Sequence, residues 1–331
     1  MGQICGLRYP GFVKKKFLLF ICLFLIFAFS ILQAEEKKDN NKIKIITTIF
    51  PLQKFAKAVV GERGEVSLLL PPGAEVHSWR PLVSDMIKLS SADLFIYIGA
   101  TLEPWIHNIL RSVKSPELRV LEASHDFSLI RKNKAGPKHS ENKQAQVHNH
   151  EHQNKFIDPH IWLDFEYDQM IVDRIEALLS EINPEEAPRF KKNALSYKKK
   201  LQELDQKYRE GLSNCLERTF ILGGHAVFGY LAKRYNLNQI SLYGLSPDSK
   251  PTPKQLVEVI ELAKKHKIKV IYFESYISDK LAKVMAKEVG AKTLVLHSGA
   301  NITKEQLKSG MTFMEIMEKN LENLRDGLLC R

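Results

Sequence analysis

The sequence predicts an α/β protein of two lobes, each a mostly parallel β-sheet flanked by helices, joined by a long rigid helix. Three observations predict it. Short apolar, β-rich runs alternate with helix-period segments from residue 43 onward. The alternation is interrupted once, by a long Lys- and Glu-rich helical stretch, and then resumes. The chain has 331 residues, enough for two domains at roughly 150 residues each.

Composition narrows the class. The chain is 44% hydrophobic and 26% charged, so it can bury real cores and is not a disordered tail. Its formal net charge is +11, but Arg8, Lys14, Lys15 and Lys16 lie in the first 34 residues, which hold no acid. A modest excess spread over a long chain does not imply a nucleic-acid partner, and no RNP-like, zinc-finger or helix-turn-helix pattern supports one. The four cysteines, Cys5, Cys22, Cys215 and Cys330, form no CxxC, which excludes a cysteine-built zinc site.

The first element is an export signal over residues 1–34. Lys14, Lys15 and Lys16 form a basic start, Phe17 to Leu32 an apolar run of sixteen residues, and Gln33-Ala34 a small-residue end. Cleavage after Ala34 is expected, with periplasmic release. The run falls short of the ~20 residues of a spanning helix, so a retained membrane anchor is the weaker alternative. A lipid-anchored Cys22 is disfavoured by the bulk of Phe20 and Ile21 before it. Outside the cytosol Cys215 and Cys330 can pair as a disulfide, and two free thiols are the equal alternative.

The first lobe is expected over 43–166. Its strands are Ile43–Ile49, Val66–Leu70, Leu94–Ile98 and Arg119–Leu121. Helical patterns fill Leu52–Val60, Leu82–Ser90 and Glu103–Val113 between them. Residues 131–156 are polar and carry His139, His148, His150 and His152, which reads as a mobile loop. A helical segment follows over 167–215. Tyr167–Ile182 is amphipathic, with Met170, Ile171, Ile175, Leu178 and Leu179 at helical spacing. Asn183-Pro184 resembles an N-cap with Pro in the first turn. The helix from Glu185 to about Leu212 would then span about 42 Å at ~1.5 Å per residue, a connector favouring small lobe movements.

The second lobe is expected over 216–331. Its strands are Phe220–Leu222, Gln239–Leu242, Val270–Phe273 and Thr293–Leu296. Its helices are Val227–Tyr235, Lys254–His266, Ser278–Val289 and Gly310–Leu328.

Four of the eleven histidines sit at or just after strand ends: His77, His160, His225 and His297. Ligands of open α/β sheets collect outside the carboxyl ends of the strands, so the four imidazoles can converge in the cleft between lobes. A lone histidine there is more often a satisfied surface or core residue than a ligand, and these long separations establish no metal site by spacing. Local context strengthens the case. Pro159 sets the chain's approach in Asp158-Pro159-His160, Asp158 or Asp164 can orient a ring, and Gly223-Gly224 clears space before His225. Helix capping or a surface ion pair is the equal alternative for the two aspartates.

The segments PPGAEVHSWRPLVSD, SADLFIYIGATLEPW, DPHIWLD, GGHAVFGYLAKRYNL, SPDSKPTP and VIYFES, in this order over residues 43–328, resemble the zinc- and manganese-binding proteins of bacterial ABC importers. The resemblance is closest to the ZnuA type of this cluster A-I family. It implies two lobes joined by a backbone helix with the metal between them. It also implies that His77, His160 and His225 are ligands. His297 stands at the fourth position, often an aspartate in the family, and Val83 stands where the family tends to have Pro. Residues 131–156 match its variable histidine-rich loop, for which auxiliary metal capture is expected.

Imidazole nitrogens suit zinc, whereas manganese favours carboxylate oxygens. The expectation is therefore a carrier of Zn²⁺ to the permease of an ABC importer, acting as a monomer and not an enzyme. Glu274, at the end of Val270–Phe273, is an alternative fourth ligand or an orienting group. Trp162 is expected to shield the metal, and Trp79, Trp105, Phe228 and Tyr230 to pack the lobes. Manganese import, a secreted zinc hydrolase and a surface adhesin are the rivals. No HExxH and no evident general base support the hydrolase.

Overall fold

Strands β3 (Leu94–Tyr97) and β7 (Thr219–Leu222) are buried at every position, which only a sheet covered on both faces allows. They lie at the centres of two four-stranded, all-parallel sheets. The structure is a computed structural model that describes residue 2 and residues 42–113, 115–132, 156–245, 251–275 and 279–331. The rest of the expected signal segment and the histidines at 139, 148, 150 and 152 lie outside the described residues.

In the first sheet β1 (Ile43–Thr47), β2 (Gly64–Leu68), β3 and β4 (Arg119–Glu122) are ordered β2-β1-β3-β4. A short antiparallel pair, β5 (Arg131–Lys132) with β6 (Phe156–Ile157), closes the ends of the expected polar loop. In the second sheet β7, β8 (Asn238–Ser241), β9 (Val270–Phe273) and β10 (Lys292–Val295) are ordered β10-β9-β7-β8. Both sheets are wholly parallel, so in each the carboxyl ends of all four strands share one edge.

The helices are α1 (Phe50–Val60), α2 (Val83–Ser90), α3 (Ile106–Ser112), α4 (Phe165–Ile182) and α5 (Ala187–Gly211). They continue with α6 (Gly229–Arg234), α7 (Pro253–Lys265), α8 (Lys280–Val289), α9 (Lys304–Lys308) and α10 (Phe313–Gly327). Helix α5 buries Phe190, Ala194, Leu201, Leu204 and Tyr208, one stripe at helical spacing, and leaves its charged face in water. Its 25 residues span about 38 Å.

Three boundaries differ from the sequence reading. Helix α4 begins at Phe165, because the Asp164 side chain accepts from Glu166 N–H and caps it. The connector opens as a 3-10 turn, Pro184–Glu186, before α5 starts at Ala187. The expected final helix begins later, at Phe313, and a short helix α9 precedes it. Thr303 with Gln306 caps α9, and Thr312 with Glu315 caps α10. Gly310, at φ +75°, turns the chain between them.

The inner faces of both sheets share one core with α1, α4, α5 and α10, running from Ile45 and Phe55 to Phe220, Tyr272 and Phe313. Phe55 meets Phe313 edge to face with ring centres 5.4 Å apart. The outer faces form separate clusters, one around Phe95 and Trp105 and one around Ile271 and Met285. Just before the amino end of β7, at the opposite sheet edge from His225, a disulfide joins Cys215 to Cys330 across 115 residues.

Candidate metal centre

Each candidate ligand stands on a loop that follows a strand. His77 follows β2. The turn Pro71–Ala74 is closed by Ala74 N–H donating to Pro71 C=O at 3.0 Å, and Gly73 supplies the positive φ of +82°. Glu75 then accepts from His77 N–H at 3.2 Å, and Arg80 donates to the carbonyls of His77, Ser78 and Trp79. Trp79 anchors the loop edge-on against Trp105, 5.3 Å between ring centres.

His160 stands between β6 and the 3-10 turn Ile161–Leu163. Asp158 Oδ1 accepts from His160 N–H at 3.1 Å and lies 2.8 Å from ring Nδ1. The carboxylate therefore holds the proton on Nδ1 and leaves the Nε2 lone pair free to bind. Both residues are buried, and Trp162 packs edge-on to the ring at 5.3 Å.

His225 follows β7. Its Nδ1 lies 2.6 Å from Glu274 Oε1, a close charge contact without the hydrogen-bond alignment that Asp158 has with His160. Gly224 makes room for it, since a Cβ there would stand 2.9 Å from that carboxylate oxygen. A Cβ on Gly223 would meet Ala282 at 2.7 Å, so both glycines admit close neighbours.

The structure brings these three rings together. One ligand atom from each of His77, His160 and His225 lies within 4.8 Å of the others. Nε2 of His77 and Nε2 of His160 are 3.4 Å apart. Two nitrogens bound to one tetrahedral zinc at ~2.0–2.1 Å stand about 3.3–3.4 Å apart.

His297 is not in that group. Its Nδ1 accepts from Gly299 N–H at 3.0 Å and its Nε2 faces Gln306 Oε1 at 3.4 Å. Asn320 pairs with its main chain on both sides, at 2.8 and 2.7 Å. Glu274 stands beside His225. Asp164 is drawn to the helix cap and to Arg234 Nη1 at 2.8 Å, away from the rings.

Electrostatics act unequally on the three rings. Burial, with the neighbouring His160 and His225, pushes His77 down to about 2. Burial also lowers His160, against the pull of Asp158. Burial acts downward on His225 too, but the Glu274 charge and contact, with Glu75 and Asp158, outweigh it and raise the ring. Sequence reading missed the Glu75 contact and the role of Arg234, which no local pattern signals.

A family model described as "Zinc-uptake complex component A periplasmic" matches residues 45–327. The chain is 37% identical over 321 residues to the zinc-binding protein AdcA of Streptococcus pyogenes, covering 95% of this chain and 61% of that protein. It is 34% identical over 317 residues to the high-affinity zinc uptake system protein ZnuA of Bacillus subtilis, covering 95% and 97%. The fold is similar to the Zn(II)-bound ZnuA-like domain of Streptococcus pneumoniae AdcA, with TM-score 0.71, 35% identity and coverage of 87% and 99%. It is also similar to a laminin-binding protein of Streptococcus agalactiae described as having adhesin and metal transporting activity, with TM-score 0.73, 28% identity and coverage of 86% and 99%.

Proposed function

Because the chain belongs to the periplasmic zinc-uptake component A family, we propose that it captures Zn²⁺ outside the cytoplasm and delivers it to the permease of an ABC importer. His77, His160 and His225 hold the ion in this reading. The single observation that carries it is their convergence, with ligand atoms within 4.8 Å of one another.

The chemistry follows from the surroundings of the rings. Asp158 keeps the Nδ1 proton of His160 in place, and the Glu274 carboxylate faces Nδ1 of His225, so both rings are set to present Nε2. That preorganisation removes part of the cost of binding. His160 and His225 are buried and His77 is half-buried, so the ion enters from the His77 side. An all-nitrogen set favours zinc over manganese. His297 and Glu274 are engaged elsewhere, so the fourth position falls to a donor outside these five residues. The chain acts as a monomeric carrier rather than a catalyst. A hydrolase would need a base facing a metal-bound water, whereas Asp158 and Glu274 face imidazoles and Glu75 accepts from His77 N–H. Among the described residues no helix is long and apolar enough to cross a membrane.

Calorimetry of the purified chain with zinc and manganese in competition tests this, with His77→Ala alongside. The expected outcome is one tightly held zinc per chain. His77→Ala should weaken it more than ~100-fold, the upper range for losing a mere ring-orienting partner. Manganese preference, or zinc held equally well by the variant, would refute the three-histidine reading.

A further inference from the structure

The segment after β10 leaves the second lobe and bonds to the first. Phe50 N–H donates to Ala300 C=O at 3.0 Å, and Gly73 N–H donates to Ile302 C=O at 2.9 Å. Between these carbonyls sits Asn301, which is 1% exposed. Its side-chain amide donates to Pro71 C=O at 2.7 Å and to Ala74 C=O at 2.8 Å. Its Oδ1 accepts from Ile302 N–H at 2.8 Å.

Three hydrogen bonds from the second lobe therefore converge on one turn of the first, Pro71–Ala74. That turn is the root of the His77 loop. Pro71 and Gly73 are exposed, and Ala74 is the turn residue that packs against the core. The rings of His160 and His225 are held by carboxylates, whereas His77 is held by its loop. A buried asparagine with both amide hydrogens and its oxygen engaged has one orientation, and neither aspartate nor leucine reproduces its two donations.

We propose that Asn301 is a positioning residue. It fixes the Pro71–Ala74 turn, and through it His77, so the second lobe's grip on this turn sets how fast the metal leaves. The inference rests on the reading of His77 as a ligand. Release then begins with separation of Asn301 from the turn, and His77 withdraws while His160 and His225 stay in place.

The test times zinc release from the full chain into an excess of chromophoric chelator. Asn301→Ala is compared with the parent and with Asn193→Ala. Asn193 also donates to a main-chain carbonyl, Val59 C=O at 2.9 Å, but away from the turn. Asn301→Ala should release zinc about tenfold faster, as two lost hydrogen bonds allow, while Asn193→Ala keeps the parent rate. The cobalt-loaded Asn301→Ala protein should also show an altered visible absorption spectrum, because one nitrogen donor has moved. A folded variant with the parent rate and the parent cobalt spectrum overturns the proposal. If Asn301→Ala does not fold, Asn301→Ser is measured in the same way: faster release supports the proposal, and the parent rate with the parent spectrum overturns it. A parent that takes up no zinc defeats the capture reading and this inference with it. That result is distinct from a zinc-binding parent whose variant is unaffected.

Discussion

Glu274 and Asp158 show how one carboxylate can decide what an imidazole does. Each contacts the Nδ1 of its histidine, at 2.6 and 2.8 Å, and each is buried. The balance differs between them. His160 is lowered because burial dominates, and His225 is raised because Glu274 overcomes burial. A raised histidine holds a proton that competes with metal. Zinc affinity should therefore be full at alkaline pH and begin to fall above the ordinary histidine value of ~6.5, as pH drops through the raised His225 range. Glu274→Gln keeps an acceptor but removes the charge. The onset of that fall should then move to lower pH, while affinity at pH 8 drops by about 10–100-fold. Zinc titrations between pH 5 and 8.5 check both, and an unmoved onset would leave Glu274 without this role.

At the scale of elements, one arginine ties together three helices. Arg234, at the end of α6, contacts Asp205 on α5 at 2.7 Å, and Asp164 and Glu166 at the start of α4 at 2.8 and 2.9 Å. Tyr235 O–H adds a bond to Asp205 at 2.7 Å. The His160 loop feeds into α4 and the His225 loop into α6, so the cluster ties together the two helices that follow these histidine loops. Burial pushes Asp205 upward, but Arg234 and Tyr235 outweigh it and hold the carboxyl below its ordinary range. That contribution is present above the unfolded value of ~3.9 and is lost as pH falls through the depressed one. Arg234→Met leaves three carboxylates without their shared cation and should cost about 3 kcal/mol at pH 7. The loss should shrink below pH ~4 as Asp205 protonates. Urea unfolding at the two pH values measures it, and an equal cost at both would point to packing alone.

For the whole molecule, the shared inner core makes the two lobes one folded body rather than two beads on a linker. The Cys215–Cys330 disulfide ties the last residues to the start of the second lobe, beside Glu217 N–H donating to Leu328 C=O at 3.1 Å. Its cysteines are 115 residues apart in sequence, so it constrains the unfolded chain strongly. Cys330→Ser should lower stability by about 2–5 kcal/mol. Zinc affinity should not change, because the bridge is at the opposite sheet edge from His225. Thermal unfolding and a zinc titration of the variant decide it, and a loss of affinity would mean that the bridge also sets the cleft.

The sequence by itself determined the class of fold, the two sheets and the connector, and it put four histidines, His77, His160, His225 and His297, at strand ends. It could do so because apolar periodicity and turn residues are local signals, and because His77, His160 and His225 lie in recognisable segments. Two helix starts were not read: Thr303 with Gln306 and Thr312 with Glu315 cap α9 and α10, whereas the apolar pattern alone merged the last helix with its approach. Only the tertiary structure decided between Asp158 and Asp164, placed Glu274 against His225 and turned His297 towards Gly299 and Gln306. It alone brought Asn301 to the Pro71–Ala74 turn, 227 residues away from Ala74 along the chain. Most of these are contacts between side chains distant in sequence. Their partners are chosen by how two sheets pack over a common core, and nothing in the local order of residues encodes that choice.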